Sequence, residues 1–281
     1  MNYKIRLTVF KALELFPRKV ADFLYLKIQS LFGNANVARN FVSGQNGIDK
    51  CKETISALGW DRIDAIIEIG SGWYPATPLL LVKEFANCQV YTYDINSFYS
   101  AKSIQQSNAH MGIESKGLIP EIHYYPNTDL TKCSFPDFTN QEVMVYSKFV
   151  LEHIPNDVIK GIHENIIDKI GTHKVFHWIS PSDHRFFTDA SLSIYDFLKF
   201  SETEWLKNHT KFDYHNRTRL PEYVEIFKSV GYTIETLKYN QPNEKVFEQF
   251  RQSKVDERFK HFTAEENLAG SIVLALTYTK K

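Results

Sequence analysis

Ile66-Ile67-Glu68-Ile69-Gly70-Ser71-Gly72-Trp73-Tyr74-Pro75 decides the fold. A β-branched apolar run enters two closely spaced glycines and then proline, whose fixed φ suits the first turn of a helix. The pattern predicts a buried strand, a tight turn and a helix. Gly70 lets the chain turn sharply, and Gly72 lets backbone approach a ligand with no Cβ in the way. Ligands of open α/β sheets sit beyond the carboxyl ends of the strands, so a ligand is expected at this turn.

The flanking sequence repeats the same rhythm. Short apolar runs at 63–69, 89–95, 122–125, 143–149 and 175–179 alternate with helical stretches at 78–85, 98–111 and 157–170. Strands this continuously apolar are covered on both faces, as parallel strands are. Two further β-rich runs, 232–239 and 271–278, close the chain. The expected fold is α/β: a Rossmann-like doubly wound sheet of about seven strands, mostly parallel. A helical extension over residues 1–60 precedes a domain over 61–281, which carries an insertion around 181–220 rich in aromatic residues, His and Asp.

In the extension, Val9, Phe10, Leu13, Leu15 and Phe16 lead to Pro17. Val20, Phe23, Leu24, Ile28 and Phe32 follow, ended by Gly33, with Lys11, Arg18 and Lys27 interleaved. Two roles stay open for this element. It caps the ligand side of the domain, or it lies as a basic amphipathic surface on a membrane or a partner.

Composition excludes several classes. Lys plus Arg and Asp plus Glu number 33 each, so no general positive field draws the chain to nucleic acid. Three scattered cysteines, Cys51, Cys88 and Cys133, make neither a disulfide framework nor a zinc motif. Charges interrupt the N-terminal apolar residues, and no run approaches the length of a membrane span. A cytoplasmic protein, peripheral to a membrane at most, is expected.

The second strand ends in Asp94, about 20 residues beyond the glycines, where a carboxylate can take both hydroxyls of a ribose. Nicotinamide-dependent oxidoreductases share that outline. Their fingerprint, however, wants a third small residue at position 75 and a helix N-terminus aimed at a pyrophosphate. Pro75 has no N–H to give. The acidic Glu68 two residues before Gly70 completes Glu68-x-Gly70-x-Gly72, which resembles the first motif of class I S-adenosylmethionine-dependent methyltransferases.

The resemblance extends over roughly 60–280 and implies S-adenosylmethionine as cofactor. It implies that Glu68, Gly70, Ser71 and Gly72 lie against the methionine part and that Asp94 with Ile95 holds the ribose. Asp129 and Leu130 correspond to the place where such enzymes meet the adenine edge. Ser147 and the run Phe149-Val150-Leu151-Glu152-His153 resemble the fourth-strand motif. Tyr74 departs from the pattern, standing where many members have a third glycine. That departure motivates another reading, a binding partner that keeps the fold without catalysis.

Methyl transfer is an in-line displacement, so alignment supplies most of the catalysis, and a hydroxyl acceptor adds the need for a base. His153, His184 and His215 follow the fourth strand, the fifth strand and the insertion. His184 with Asp183, in Ser180-Pro181-Ser182-Asp183-His184-Arg185, is the preferred base; His153 is the alternative. Their spacing matches no known ligand set, so no metal is expected. The stretch from Asp183 through Trp205 to Tyr214-His215-Asn216-Arg217 and Tyr223 is similar to methyltransferases of bacterial surface-polysaccharide gene clusters. That similarity implies transfer to an oxygen of a sugar, in a glycan or a smaller precursor, with Tyr214, His215, Asn216 and Arg217 binding it. Core packing of the same residues is the competing reading.

Overall fold

The computed structural model describes residues 3–31 and 36–280; Phe32 and Gly33 lie outside them. Three helices come first: α1 (Tyr3–Leu13), α2 (Arg18–Leu31) and α3 (Val37–Ala57). Strand and helix then alternate through β1 (Ala65–Ile69), α4 (Ala76–Glu84), β2 (Gln89–Tyr93), α5 (Ala101–His110), β3 (Ile122–Tyr125), β4 (Val143–Lys148), α6 (Asn156–Ile170) and β5 (His173–Ile179). The insertion holds short 3-10 turns and α7 (Glu202–Leu206). It leads to α8 (Leu220–Ser229), β6 (Thr233–Asn240), α9 (Glu244–Arg251), α10 (Ala264–Leu268) and β7 (Gly270–Tyr278). The strands fall where the apolar runs predicted them, with ends shifted by a residue or two.

One seven-stranded sheet results, in the order β3-β2-β1-β4-β5-β7-β6. Only β7 runs against its neighbours. β1 is buried along its whole length because its alternate side chains enter different layers. Ala65, Ile67 and Ile69 pack with Ile159, Ile162 and Ile166 of α6 and with Tyr223 and Phe227 of α8. Ile66 packs with Ile48 and Ile55 of α3 and with Leu79 and Leu80 of α4. From β1 the chain winds outward to β2 and β3, then returns to β4 on the other side. The strand order reverses between β1 and β4, which opens a crevice at their carboxyl tips.

Residues 1–60 divide into two parts. α3, whose Asn36 side chain caps it by accepting from the Arg39 N–H at 3.1 Å, belongs to the sheet's helical layer. α1 and α2 instead lean over the crevice. Tyr25 stacks on Phe212 with ring centroids 4.9 Å apart, and Arg6 pairs with Asp213 at 3.1 Å. The insertion has a small core of its own, in which Tyr195, Phe197, Leu198 and Trp205 meet Phe247, Phe259 and Leu268. Among the described residues, no helix is long and apolar enough to cross a membrane. Cys51, Cys88 and Cys133 are free, and burial pushes the Cys88 thiol up to about 12.

Beneath α6 and α8 runs a buried hydrogen-bonded chain with no charged member. His173 Nδ1 lies 2.6 Å from the Gly171 carbonyl and so must carry the proton. Its Nε2 therefore accepts from the Tyr232 hydroxyl at 2.7 Å. The Tyr232 oxygen accepts from His163 Nδ1–H at 3.0 Å, leaving His163 Nε2 to accept from His177 Nε2–H at 3.2 Å. His177 Nδ1 is then the acceptor for the Ser147 hydroxyl at 2.7 Å. One set of neutral tautomers satisfies every link. Burial holds all three imidazoles neutral, pushing His173 down to about 4 and His177 to about 3, with His163 also well below its ordinary value.

Candidate functional site

A cavity of about 870 Å³ occupies the crevice at the tips of β1, β2 and β4. The glycine turn forms its floor. Gly70 has φ 86°, its N–H donates to the Tyr93 carbonyl at 2.8 Å, and a Cβ there would stand 2.6 Å from Val150 Cγ2. The sharp turn expected of Gly70 thus comes with close packing against the segment after β4. Gly70→Ala is expected to cost about 2–4 kcal/mol, from overpacking plus a disfavoured φ. Urea unfolding measures it, and Val150→Ala in the same chain should restore only the packing share; an unchanged midpoint in Gly70→Ala would refute both causes.

Gly72 differs. With φ 67° it lines the cavity, and a Cβ there would meet nothing within 4 Å. The backbone is laid bare toward a space that a ligand can fill.

Around the turn sit two buried acids. Thr92 Oγ1 donates to Glu68 Oε2 at 2.5 Å and lies 2.7 Å from Ser71 Oγ; the Tyr99 hydroxyl donates to the Ser71 carbonyl at 3.0 Å. Burial, with Asp94 nearby, pushes the Glu68 carboxyl up to about 8, so it is largely protonated at neutral pH. Asp94 is also raised by burial, against backbone N–H groups, of which that of Asn96 is 2.8 Å from Oδ1. Ile95, 58% exposed, offers an apolar surface to the same space, as do Trp73 and Phe98, stacked at 4.5 Å. A nucleoside with an amino-acid arm fits this end. Asp94 can take a diol, the bare turn at Gly72 the arm, and the apolar side chains a base.

Two expected cofactor residues are engaged differently. Asp129 and Leu130 line the cavity, but the Asp129 carboxylate is bound locally. It accepts from Thr131 Oγ1 at 2.7 Å and the Thr131 N–H at 3.0 Å and pairs with Lys132 at 2.9 Å, which holds it down at about 2. Ser147 is fully buried outside the lining, where its hydroxyl serves His177.

The same cavity is lined by His153, His184, Tyr214, Phe149, Phe187 and Lys148. Three histidine rings gather here: His184 stacks on His215 at 4.1 Å, and His153 lies 4.9 Å from His184. Their nitrogens come within 4.8 Å of one another, close enough together to hold a metal ion, although none was expected from the sequence. Both nitrogens of His215 face backbone carbonyls, Ser182 at 2.6 Å and Glu152 at 3.0 Å.

His153 is set up otherwise. Its Nδ1–H donates to the Tyr214 carbonyl at 3.0 Å, which leaves the Nε2 lone pair unclaimed by that bond. Burial lowers its pKa, opposed by that carbonyl and by Asp213. His184 is pushed much further, to about 3, by burial and by His153 and Arg6.

The remaining predicted residues are structural. Asp183 is buried and grips Arg185, accepting from its Nη2 at 2.6 Å, its Nε at 3.0 Å and its N–H at 3.0 Å. It does not touch His184 through those bonds and does not line the cavity. Asn216 donates to the Leu151 and Ile154 carbonyls, both at 2.8 Å, so it fastens the loop after β4. Arg217 donates to the Phe197 and Phe200 carbonyls and pairs with Glu202 at 2.7 Å, closing the insertion's core. Of the four residues assigned to the acceptor, only Tyr214 faces the cavity. Sequence reasoning missed Arg6, Tyr25, Ser43 and Lys148, which come from the N-terminal helices and the end of β4. The interleaved cations of α1 were the signal for Arg6.

No protein-family model matches the chain, and no match was found among curated proteins. Similarity to solved structures is found. It is similar to magnesium protoporphyrin IX methyltransferase from Synechocystis PCC 6803 with bound S-adenosylhomocysteine, at 12% identity and TM-score 0.49, over 86% of each chain. It is also similar to an S-adenosylmethionine dependent methyltransferase from Mesorhizobium loti, at 14% identity and TM-score 0.43, over 76% of this chain and 90% of that one. A third is the mitomycin 7-O-methyltransferase MmcR, at 11% identity and TM-score 0.42, over 77% of this chain and 49% of that one. At such identities the likeness concerns the fold, and what this chain does rests on its own residues.

Proposed function

We propose that the chain is an S-adenosylmethionine-dependent methyltransferase acting on a hydroxyl, and that the acceptor is a sugar of a glycan or glycan precursor. One observation carries the reading: a single cavity is lined by the bare Gly72 turn, by Asp94 and by His153. When bound, the cofactor supplies a methyl group on a sulfonium, ready for in-line displacement. Asp94 binds the ribose hydroxyls and the Ser71–Gly72 backbone lies against the amino-acid arm. Trp73, Phe98 and Ile95 keep water from the base.

His153 receives the acceptor's proton at Nε2, because its tautomer is fixed by Tyr214. It replaces His184 as the preferred base. A group held near pKa 3 is a weak proton acceptor at neutral pH, whereas efficient bases lie closer to the working pH. For the sugar, support comes from the aromatic faces of Tyr25, Phe149, Phe187 and Phe212 beside Asp213 and Lys211. The free thiols fit work in a reducing cytoplasm. Against a nicotinamide enzyme, α4 is preceded by Pro75, which has no N–H for a pyrophosphate.

Thermal shift tests the cofactor: S-adenosylhomocysteine should raise the melting temperature and nicotinamide dinucleotides should not. Label from S-adenosylmethionine should pass to carbohydrate; label found only on protein or nucleic acid would reject the sugar. His153→Ala is expected to lower turnover by about 100-fold or more with S-adenosylhomocysteine affinity unchanged. Full turnover in that variant removes His153 as the base.

A further inference from the structure

The first two helices have two unlike sides. On α1, Tyr3 and Phe10 turn toward the domain: the Tyr3 N–H donates to Asp189 at 3.3 Å, the Arg185 guanidinium lies 4.9 Å from the Tyr3 ring centre, and Phe10 meets the rings of Tyr25 and Phe212 edge-on. Ile5, Val9 and Ala12 follow one another at helical spacing on the opposite side, and all three are exposed. The turn after α1 carries Leu15, 87% exposed, and Phe16; α2 then presents Val20 and Phe23 outward. Of the thirteen exposed large apolar side chains among the described residues, six lie between positions 5 and 23. Single apolar residues are ordinary on a surface, but such a concentration marks a face that something covers.

Charge selects the cover. Residues 3–31 hold six Lys and Arg against two Asp and Glu, in a chain whose totals are equal at 33. Lys4, Lys11, Arg18 and Lys27 are exposed around the apolar residues, and the Lys27 ammonium lies 5.6 Å from the Phe23 ring centre. Glu14, one of the two acids, accepts from the Lys211 N–H at 2.7 Å. A second copy of the chain would bring the same cations against each other, which disfavours self-pairing through this face. An anionic lipid surface has no such conflict. Its headgroups meet the cations, and the start of its acyl region takes the apolar side chains.

We propose that α1, the turn after it and the start of α2 dock this protein on an anionic phospholipid bilayer. Leu15, Phe16, Val20 and Phe23 enter the interface, and Lys11, Arg18 and Lys27 face the headgroups. The inner side of the same helices walls the cavity through Arg6 and Tyr25. One element thus carries, on its two sides, both roles left open by its sequence.

The whole chain is mixed with vesicles of phosphatidylcholine alone and of phosphatidylcholine with phosphatidylglycerol, and cosedimentation is measured. Binding should be about tenfold or more tighter on the anionic vesicles and should weaken as salt is raised. Leu15→Ser with Phe23→Ser should lose about tenfold or more on the anionic vesicles, and Lys11→Gln with Arg18→Gln several-fold, while both remain folded by circular dichroism. No binding to anionic vesicles, equal binding to neutral ones, or unchanged binding in either pair of substitutions overturns the proposal. Sedimentation equilibrium without lipid supplies the remaining outcome: a dimer that Leu15→Ser with Phe23→Ser dissociates means that a second copy covers the face, and overturns it too. Cofactor and acceptor are absent from these mixtures, so a failure here leaves the methyl-transfer reading as it stands.

Discussion

Gly72→Arg is expected to fold and to lose S-adenosylhomocysteine binding by more than about 100-fold, or roughly 2.7 kcal/mol. Two effects act at this position and they can be separated. The backbone has φ 67°, so any other residue pays a conformational cost of about 1–2 kcal/mol in stability. No protein atom lies within 4 Å of where a Cβ would stand, so no clash is added to that cost. The arginine side chain extends into the cavity, where only a ligand has reason to be. Gly72→Ala carries the same backbone cost with almost none of the occlusion. It should melt like Gly72→Arg while keeping most of its affinity for the nucleoside. Calorimetric titration of both variants decides. Near-parent affinity in Gly72→Arg means that the nucleoside does not lie against the turn, and the assignment of the turn to the cofactor falls with it.

The contrast between the two glycines also shows what a sequence can and cannot disclose. Glycine at 70 and at 72 reads the same in one dimension, and both adopt positive φ. Only the fold distinguishes them, because Val150 from the far side of β4 comes against one and open space against the other. The central strands were legible for a local reason: β1 and β4 must be apolar on both faces to sit between two helical layers, whatever their partners. Asp94 was legible because the distance from the glycine turn to the next strand tip is fixed by one crossover. The acceptor residues were not. Arg217 and Asn216 have the chemistry of ligand-binding residues, but their polar atoms are spent on main-chain carbonyls of the insertion and of the loop after β4. Long, irregular segments need such fastening, since they have no ladder to satisfy their own backbone. Lys148 closes a strand as any edge cation might. Its place beside the glycine turn depends on Ser43 and Gly47, a hundred residues earlier, being brought against it by α3.

Acid should unfold this protein early and steeply. His163, His173 and His177 are neutral in the buried chain from Ser147 to Gly171, and each has a folded pKa far below the value near 6.5 that it takes once unfolded. A depressed folded pKa contributes stability that is complete above pH 6.5. It is lost as the pH falls from there toward the folded values near 3 to 4, because only the unfolded chain takes up the protons. Three such groups remove about 4 kcal/mol per pH unit. His153, His184, His209 and His215 are shifted the same way and add to the slope. Glu68, Asp94, Glu152 and Asp213 act in the opposite sense, since their raised carboxyls bind protons first in the folded state; four carboxyls offset only part of seven imidazoles. A domain held by the usual 5–15 kcal/mol should therefore lose a large share of its stability by about pH 5. Urea unfolding at pH 7.0 and 5.5 measures the loss, and a stability that stays level across that interval contradicts it. Nitrogen chemical shifts of the rings test the cause independently of the slope. His163 and His173 must carry their proton on Nδ1 and His177 on Nε2, since any other assignment leaves two lone pairs, or two protons, facing each other along the chain.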